Sequence, residues 1–331
     1  MPTAFTICAN NYLAHAKVLA ISYKKYHPKD NFIIAILDVP NDKVDYNKLG
    51  ADKVLWIHEL FPDLIEQIKK IYNIAEICTV VKPELIKYLF AKGEETVLYI
   101  DPDIKVFSAF KEVFKGLQKN DMVLTPHICS PTPEVGHPQD KDLMRTGIYN
   151  LGFLALNKTN GTESFVDWWY KRCRKYGFHD LKKGYFYDQI WLGYAPAFLD
   201  KVYVLRHLGY NVANWNLHER KVFEETSTYT INENKIPLRF FHYSHFKMEA
   251  LPIIASYNEN FNLDNRPDIV APCMEYKQDL LNHEYEFLKT INYAFGKKPN
   301  LKKDHKPKYE NRFKAFYKSL KKTARILIKG K

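Results

Sequence analysis

Asp101-Pro102-Asp103 stands between two apolar runs, Val97-Leu98-Tyr99-Ile100 before it and Ile104-Lys105-Val106 after it. Two carboxylates one residue apart offer hard oxygen donors, the kind that hold Mg²⁺ or Mn²⁺ against a diphosphate. The β-branched and aromatic stretch Thr96 to Ile100 suits a central strand. In open α/β sheets ligands sit outside the carboxyl ends of the strands, and there these two acids fall. A turn following a strand also favours Asp and Pro with no ligand at all, so the triplet needs partners from elsewhere in the chain.

The elements that must position those partners alternate. Strands are predicted over Ala4–Ala9, Asn31–Asp38, Val54–Ile57, Thr96–Ile100, Met122–Thr125, Ile148–Asn157 and Leu238–His242. Helices are predicted over Tyr12–Tyr26, Pro62–Tyr72, about Pro83–Ala91, Phe165–Tyr176 and Gln189–Tyr194. The opening strand-helix-strand order argues for a mostly parallel sheet with helices on its faces. Pro126 to Thr146 reads as a long loop rich in Pro, Gly, His and charge, and such loops are commonly functional. GxGxxG, P-loop, HExxH and GxSxG signatures are all absent from the sequence, which weakens dehydrogenase, ATPase, metalloprotease and α/β-hydrolase readings.

Taken in order, several blocks resemble the nucleotide-sugar-dependent glycosyltransferases of the GT-A fold, and more closely a bacterial group distantly related to the glycogenin and lipopolysaccharide galactosyltransferase clan. The resemblance covers Phe5 to about Phe246. It implies a Rossmann-like GT-A domain over residues 1–296 and a metal-dependent hexosyl-type transfer from a nucleotide diphosphate sugar, UDP-linked, with retention of anomeric configuration. Ala9-Asn10-Asn11-Tyr12 resembles the loop that cradles the nucleotide, with Tyr12 stacked on the base and Asn10 or Asn11 bonded to it. Lys82, in Thr79-Val80-Val81-Lys82-Pro83, resembles the helix-start basic residue that reaches the donor.

Asp101, Asp103 and the late His242 of Phe241-His242-Tyr243-Ser244 are the implied metal ligands, and the mixed oxygen and nitrogen set favours Mn²⁺ modestly over Mg²⁺. Asn150 and Gly152 resemble the strand lining the donor sugar; the alternative is a strand bend. Asp188 and Gln189 resemble the catalytic pair that reads sugar hydroxyls and positions the acceptor, with a helix N-cap as the alternative role of Asp188. Asn214, Trp215 and Asn216, with Asn211, are expected to form a sugar-facing wall for donor or acceptor, and a buried aromatic corner with satisfied amides explains them nearly as well. The clan commonly reads Asp-Gln-Asp where this chain has Asp188-Gln189-Ile190, and a glycine loop where it has Ser244-His245-Phe246-Lys247; Lys247 is the candidate for the phosphates.

Charge separates the chain into two parts. Of a formal net charge of +11, residues 297–331 carry 14 Lys or Arg against Asp304 and Glu310, so the remainder is close to neutral. A near-neutral body lacks the positive face of a nucleic-acid binder. Phe313, Phe316, Tyr317, Leu320, Ala324, Leu327 and Ile328 recur at helical spacing among basic residues, which predicts a basic amphipathic tail able to lie on an anionic membrane. The alternative is a helix packed on its own domain. No apolar stretch reaches the roughly 20 residues that cross a bilayer, and Met1 to Phe5 shows no secretory pattern. The expected location is cytoplasmic, peripheral on the inner face of the cell membrane, with a glycan or lipid-linked acceptor of surface polysaccharide synthesis. Five scattered cysteines without a CxxC pair read as reduced thiols. Two other functions fit parts of the chain: a non-catalytic peripheral membrane scaffold, and a sugar nucleotidyltransferase. The second would need a Gly-rich basic loop where Ala9-Asn10-Asn11-Tyr12 stands.

Overall fold

The opening strand-helix-strand register builds one side of a seven-stranded sheet in the protein's structure, a computed structural model that describes residues 1–226 and 228–297. Its strands are β1 (Thr3–Cys8), β2 (Asn31–Ile36), β3 (Lys53–Trp56), β4 (Thr96–Ile100), β6 (Met122–Pro126), β7 (Tyr149–Asn157) and β8 (Val202–Val204), and a short β5 (Ile104–Val106) lies outside it. The spatial order is β8-β6-β7-β4-β1-β2-β3. All neighbours pair in parallel except β7, which runs antiparallel between β4 and β6. The predicted mixed, mostly parallel α/β sheet is what forms. The tail helix predicted within 297–331 lies outside the described residues. No helix among the described residues is long and apolar enough to cross a membrane.

Alternation along the strands divides the core into two layers. Ala4 and Cys8 of β1, Phe32, Ile34 and Ile36 of β2, and Leu98 and Ile100 of β4 face one layer, built with α1 (Leu13–Tyr26) and α5 (Val270–Asn282). Phe5, Ile7, Ile33, Ala35, Val97 and Tyr99 face the other, built with α2 (Ile74–Ala91) and α4 (Asn160–Tyr176). Burial on both faces is what makes these strands near-continuous apolar runs.

Among the differences from expectation, three lie close to the candidate residues. The helix expected from Pro83 begins nine residues earlier, because Asn73 and Glu76 form a reciprocal capping box and Ile77, Val80, Val81, Leu85, Ile86 and Leu89 line one buried face. Pro83 is therefore interior to α2, where its missing N–H removes the helical donor from the Thr79 carbonyl. Within the loop expected over 126–146, Asp140–Thr146 forms a short helix, α3, capped by Gln139. Asp188 occupies the N-cap position of the 3-10 turn Gln189–Tyr194, but its side chain makes no cap bond there.

Candidate metal centre

The turn after β4 is closed by a local ladder. Asp101 N–H donates to Gly152 O at 2.8 Å, and β5 then pairs antiparallel with β9 (Phe240–His242), setting His242 opposite Ile104. Tyr243 N–H bonds Asp103 O at 2.8 Å. This register brings a residue 139 positions downstream onto the two acids: His242 Nε2 lies 3.2 Å from Asp103 Oδ1 and 3.6 Å from Asp101 Oδ2. One ligand atom from each of the three falls within 4.8 Å of the others.

Burial makes this crowding costly in the absence of a counter-charge. Asp101 is pushed above the ordinary carboxylate range by burial and by the Asp103 charge, against the pull of Lys82 and His242. Burial also opposes ionisation of Asp103, but His242 beside it holds that carboxyl low. The histidine itself, disfavoured as a cation by burial, is held above 6.5 by the two acids. A divalent cation held by both carboxylates and a neutral imidazole would relieve all of these conflicts together. The donor set therefore fits Mn²⁺ or Mg²⁺.

Behind the acids lies a chain of contacts that begins on α2. Lys82, 2% exposed, places Nζ 2.7 Å from Asp188 Oδ2, 3.2 Å from Leu151 O and 3.9 Å from the Tyr99 ring centroid. Tyr99 O–H donates to Asp101 Oδ1 at 2.5 Å, which leaves Oδ2 as the oxygen turned to His242. Lys82 stands at an interior helix position, not at the expected helix start, and it pairs with Asp188 while still bordering the cavity that Asp101 lines. Gln189 is likewise engaged: its Oε1 accepts from Leu151 N–H at 2.8 Å and its Nε2 donates to Thr146 O at 2.8 Å. It fixes the β7 entry beside Asn150, whose Nδ2 lies 3.2 Å from His127 Nε2.

Two cavities meet at the acids. One of about 510 Å³ is bordered by Asp101, Asn150, Asp188, Gln189, Trp215 and His242. Another of about 380 Å³ is bordered by Tyr12, His15, Asp103 and Lys247; Tyr12 stacks on His15 with centroids 4.1 Å apart. Asn10 does not face this space with free groups: its Nδ2 donates to Val39 O and its Oδ1 accepts from Tyr46 O–H. Ala9 is buried at the end of β1, and Asn11 is half-buried in the single turn Asn10–Tyr12.

Of the expected sugar-facing wall, the structure brings one of Asn214, Trp215 and Asn216 to the larger cavity. Asn216 is wholly buried and clamps backbone, donating to His127 O and Asn211 O and accepting from Ala213 N–H. Asn214 is spent on Tyr257 O–H, Ser244 O and Asn258. Trp215 alone of the three borders the larger cavity, with its ring edge-on to His242 at 5.3 Å. Satisfied amides in a buried corner, the alternative reading, describe Asn214 and Asn216.

The chain is 24% identical over 295 residues to the uncharacterized Bacillus subtilis protein YfnF, covering 88% of this chain and 95% of that one. To YfnD of the same organism it is 26% identical over 243 residues, 70% of this chain and 74% of that one. No protein-family profile matches it. Among solved structures it is similar to the galactosyltransferase LgtC in complex with donor and acceptor sugar analogs, at 16% identity and a TM-score of 0.46, covering 85% of this chain and 96% of that one. It is also similar to the bifunctional glycosyltransferase WbbM, at 14% identity and a TM-score of 0.47, covering 87% of this chain and 51% of that one. Neither likeness assigns a reaction, which is read from the site itself.

Gly152 is the position where the site tolerates no side chain. A Cβ there would lie 2.4 Å from His242 Cε1 and 2.7 Å from Nδ1. Gly152→Ala is expected to push the imidazole off the acids and weaken Mn²⁺ binding at least about tenfold while secondary structure persists. Electron paramagnetic resonance titration beside circular dichroism checks this; unchanged Mn²⁺ affinity would contradict the geometry.

Proposed function

We propose that the protein is a metal-dependent glycosyltransferase that moves a sugar from a nucleotide diphosphate donor, UDP-linked, to a glycan or lipid-linked acceptor, with retention of configuration. The observation that carries the reading is the Asp101, Asp103 and His242 donor set at the carboxyl edge of the sheet, shared between two cavities. When bound, a divalent cation there supplies Lewis-acid stabilisation of the charge on a departing diphosphate. The chain's own residues do the rest. Asp101, Asp103 and His242 would hold the ion, and Lys247, which borders the smaller cavity, would bring a side-chain cation to the phosphates. Trp215 offers an apolar ring surface to a sugar in the larger cavity. Lys82 keeps positive charge behind Asp101.

A thermal-shift series tests the assignment. UDP with Mn²⁺ is expected to raise the unfolding temperature more than either alone, and a panel of UDP-, GDP- and dTDP-sugars then selects the donor. A membrane scaffold has no reason to bind UDP or Mn²⁺, so absence of any shift would favour that alternative.

The pH dependence has a fixed sign. Metal binding needs His242 neutral, and its proton is held more tightly than in a free histidine. Mn²⁺ affinity is therefore expected to fall as pH drops through a point above 6.5, by up to about tenfold per pH unit below it. Titration of Mn²⁺ binding between pH 5.5 and 8.5 reads this directly. Affinity that stays flat across that range would remove the histidine from the ligand set.

A further inference from the structure

His242 has a second ring nitrogen, and its neighbour is Asn211. Nδ1 lies 3.3 Å from Asn211 Oδ1, on the side of the ring away from the acids. We propose that Asn211 is a positioning residue that fixes the tautomer of His242. By accepting from Nδ1–H, it leaves the Nε2 lone pair directed at Asp101 and Asp103. The inference rests on the metal reading above and assigns that site a device of its own.

Four observations converge on it. Asn211 is wholly buried and takes φ +53°, a left-handed conformation that Asn tolerates far better than most side chains. Its carbonyl and that of the next residue are both held: Asn216 Nδ2 donates to Asn211 O at 2.8 Å, and His242 N–H donates to Val212 O at 2.8 Å, so the two side chains keep one register. The imidazole has little room to turn, because Trp215 stands edge-on to it and the space beside Gly152 would not admit a Cβ. With ring rotation blocked, the choice of protonated nitrogen is the freedom that remains.

The fourth observation separates function from packing. Asn211 Nδ2 is buried with no hydrogen-bond partner among the described residues. An asparagine kept only to satisfy a buried corner would have both ends bonded, as Asn216 has. Here the side chain is committed to one contact, the histidine. The opposite tautomer would point a hydrogen from Nε2 into the space between the acids and occupy the lone pair that a cation needs.

The test compares two substitutions by Mn²⁺ titration, with the unfolding midpoint of the metal-free protein recorded for each. Asn211→Gly keeps the backbone conformation and removes the acceptor; Mn²⁺ affinity is expected to fall about 10- to 100-fold. Asn211→Asp keeps an acceptor and offers no donor, so it is expected to bind Mn²⁺ within about threefold of the unaltered protein, or tighter. Wild-type affinity in the Gly variant, or loss in the Asp variant equal to that in Gly, would overturn the role of Asn211. Should the Gly variant fail to fold, the Asp variant still decides, since a merely structural amide would not accept a buried carboxylate and preserve metal binding. An unaltered protein that binds no Mn²⁺ would instead overturn the metal reading itself, which keeps the two failures apart.

Discussion

Asp103→Asn is expected to eliminate measurable Mn²⁺ binding and to slow sugar transfer or donor hydrolysis by about 10³-fold or more. The estimate follows from the several kcal/mol that Lewis-acid stabilisation of a leaving group supplies, at tenfold in rate for each 1.36 kcal/mol. The substitution is nearly isosteric, so shape is not at issue. Asp103 O accepts from Tyr243 N–H through the backbone, a bond the variant keeps. What is lost is one negative charge beside His242, and with it much of the reason for the histidine's raised pKa. The variant therefore carries a second signature: the His242 ring should titrate at lower pH than in the unaltered protein. Release of UDP from a UDP-sugar, followed with the Mn²⁺ titration, checks both. Turnover and Mn²⁺ binding at the wild-type level would remove the metal from the chemistry.

Much of this site was legible because it sits where strands end. The sheet strands follow from apolar runs that alternate between two buried layers, and Asp101-Pro102-Asp103 is read correctly as the exit of a central strand. Tyr99 was missed, yet the clue was present: period two along β4 places it on the same side as Asp101, two residues on, and its hydroxyl is the acid's donor. The start of α2 is less legible, because Pro83 looks like a helix beginning although the Asn73–Glu76 capping box starts the helix before it. The asparagine-rich block at 211–216 was harder. Its amides differ only in what surrounds them: Asn216 clamps backbone, whereas Asn211 reaches His242, through a left-handed turn that composition does not announce. α5 went unpredicted, although its Cys273, Tyr276 and Leu280 cover the α1 layer at helical spacing.

Lys82→Met carries the largest expected effect on stability. It leaves Asp188, 2% exposed, as a buried carboxylate without its cation, and breaking a pair of this kind costs about 3–5 kcal/mol. Urea denaturation at pH 7.5 measures it. The sign with pH is fixed by the acid: burial already raises the Asp188 pKa against the pull of Lys82, and without the lysine it rises further. Lowering the pH protonates Asp188 and removes the buried charge, so the gap between variant and unaltered protein should narrow as pH falls. A gap that widens toward acid would contradict the pairing. Removing both partners, Lys82→Met with Asp188→Leu, should restore most of the stability, since apolar groups of similar volume replace buried pairs at little cost. If stability needs no ion pair, its presence 3.9 Å from the Tyr99 ring and one hydrogen bond removed from Asp101 calls for another cause. The double variant separates stability from activity: it is expected to fold as well as the unaltered chain and still turn over more slowly, because both the cation behind the acids and the Asp188 carboxylate at the cavity are gone.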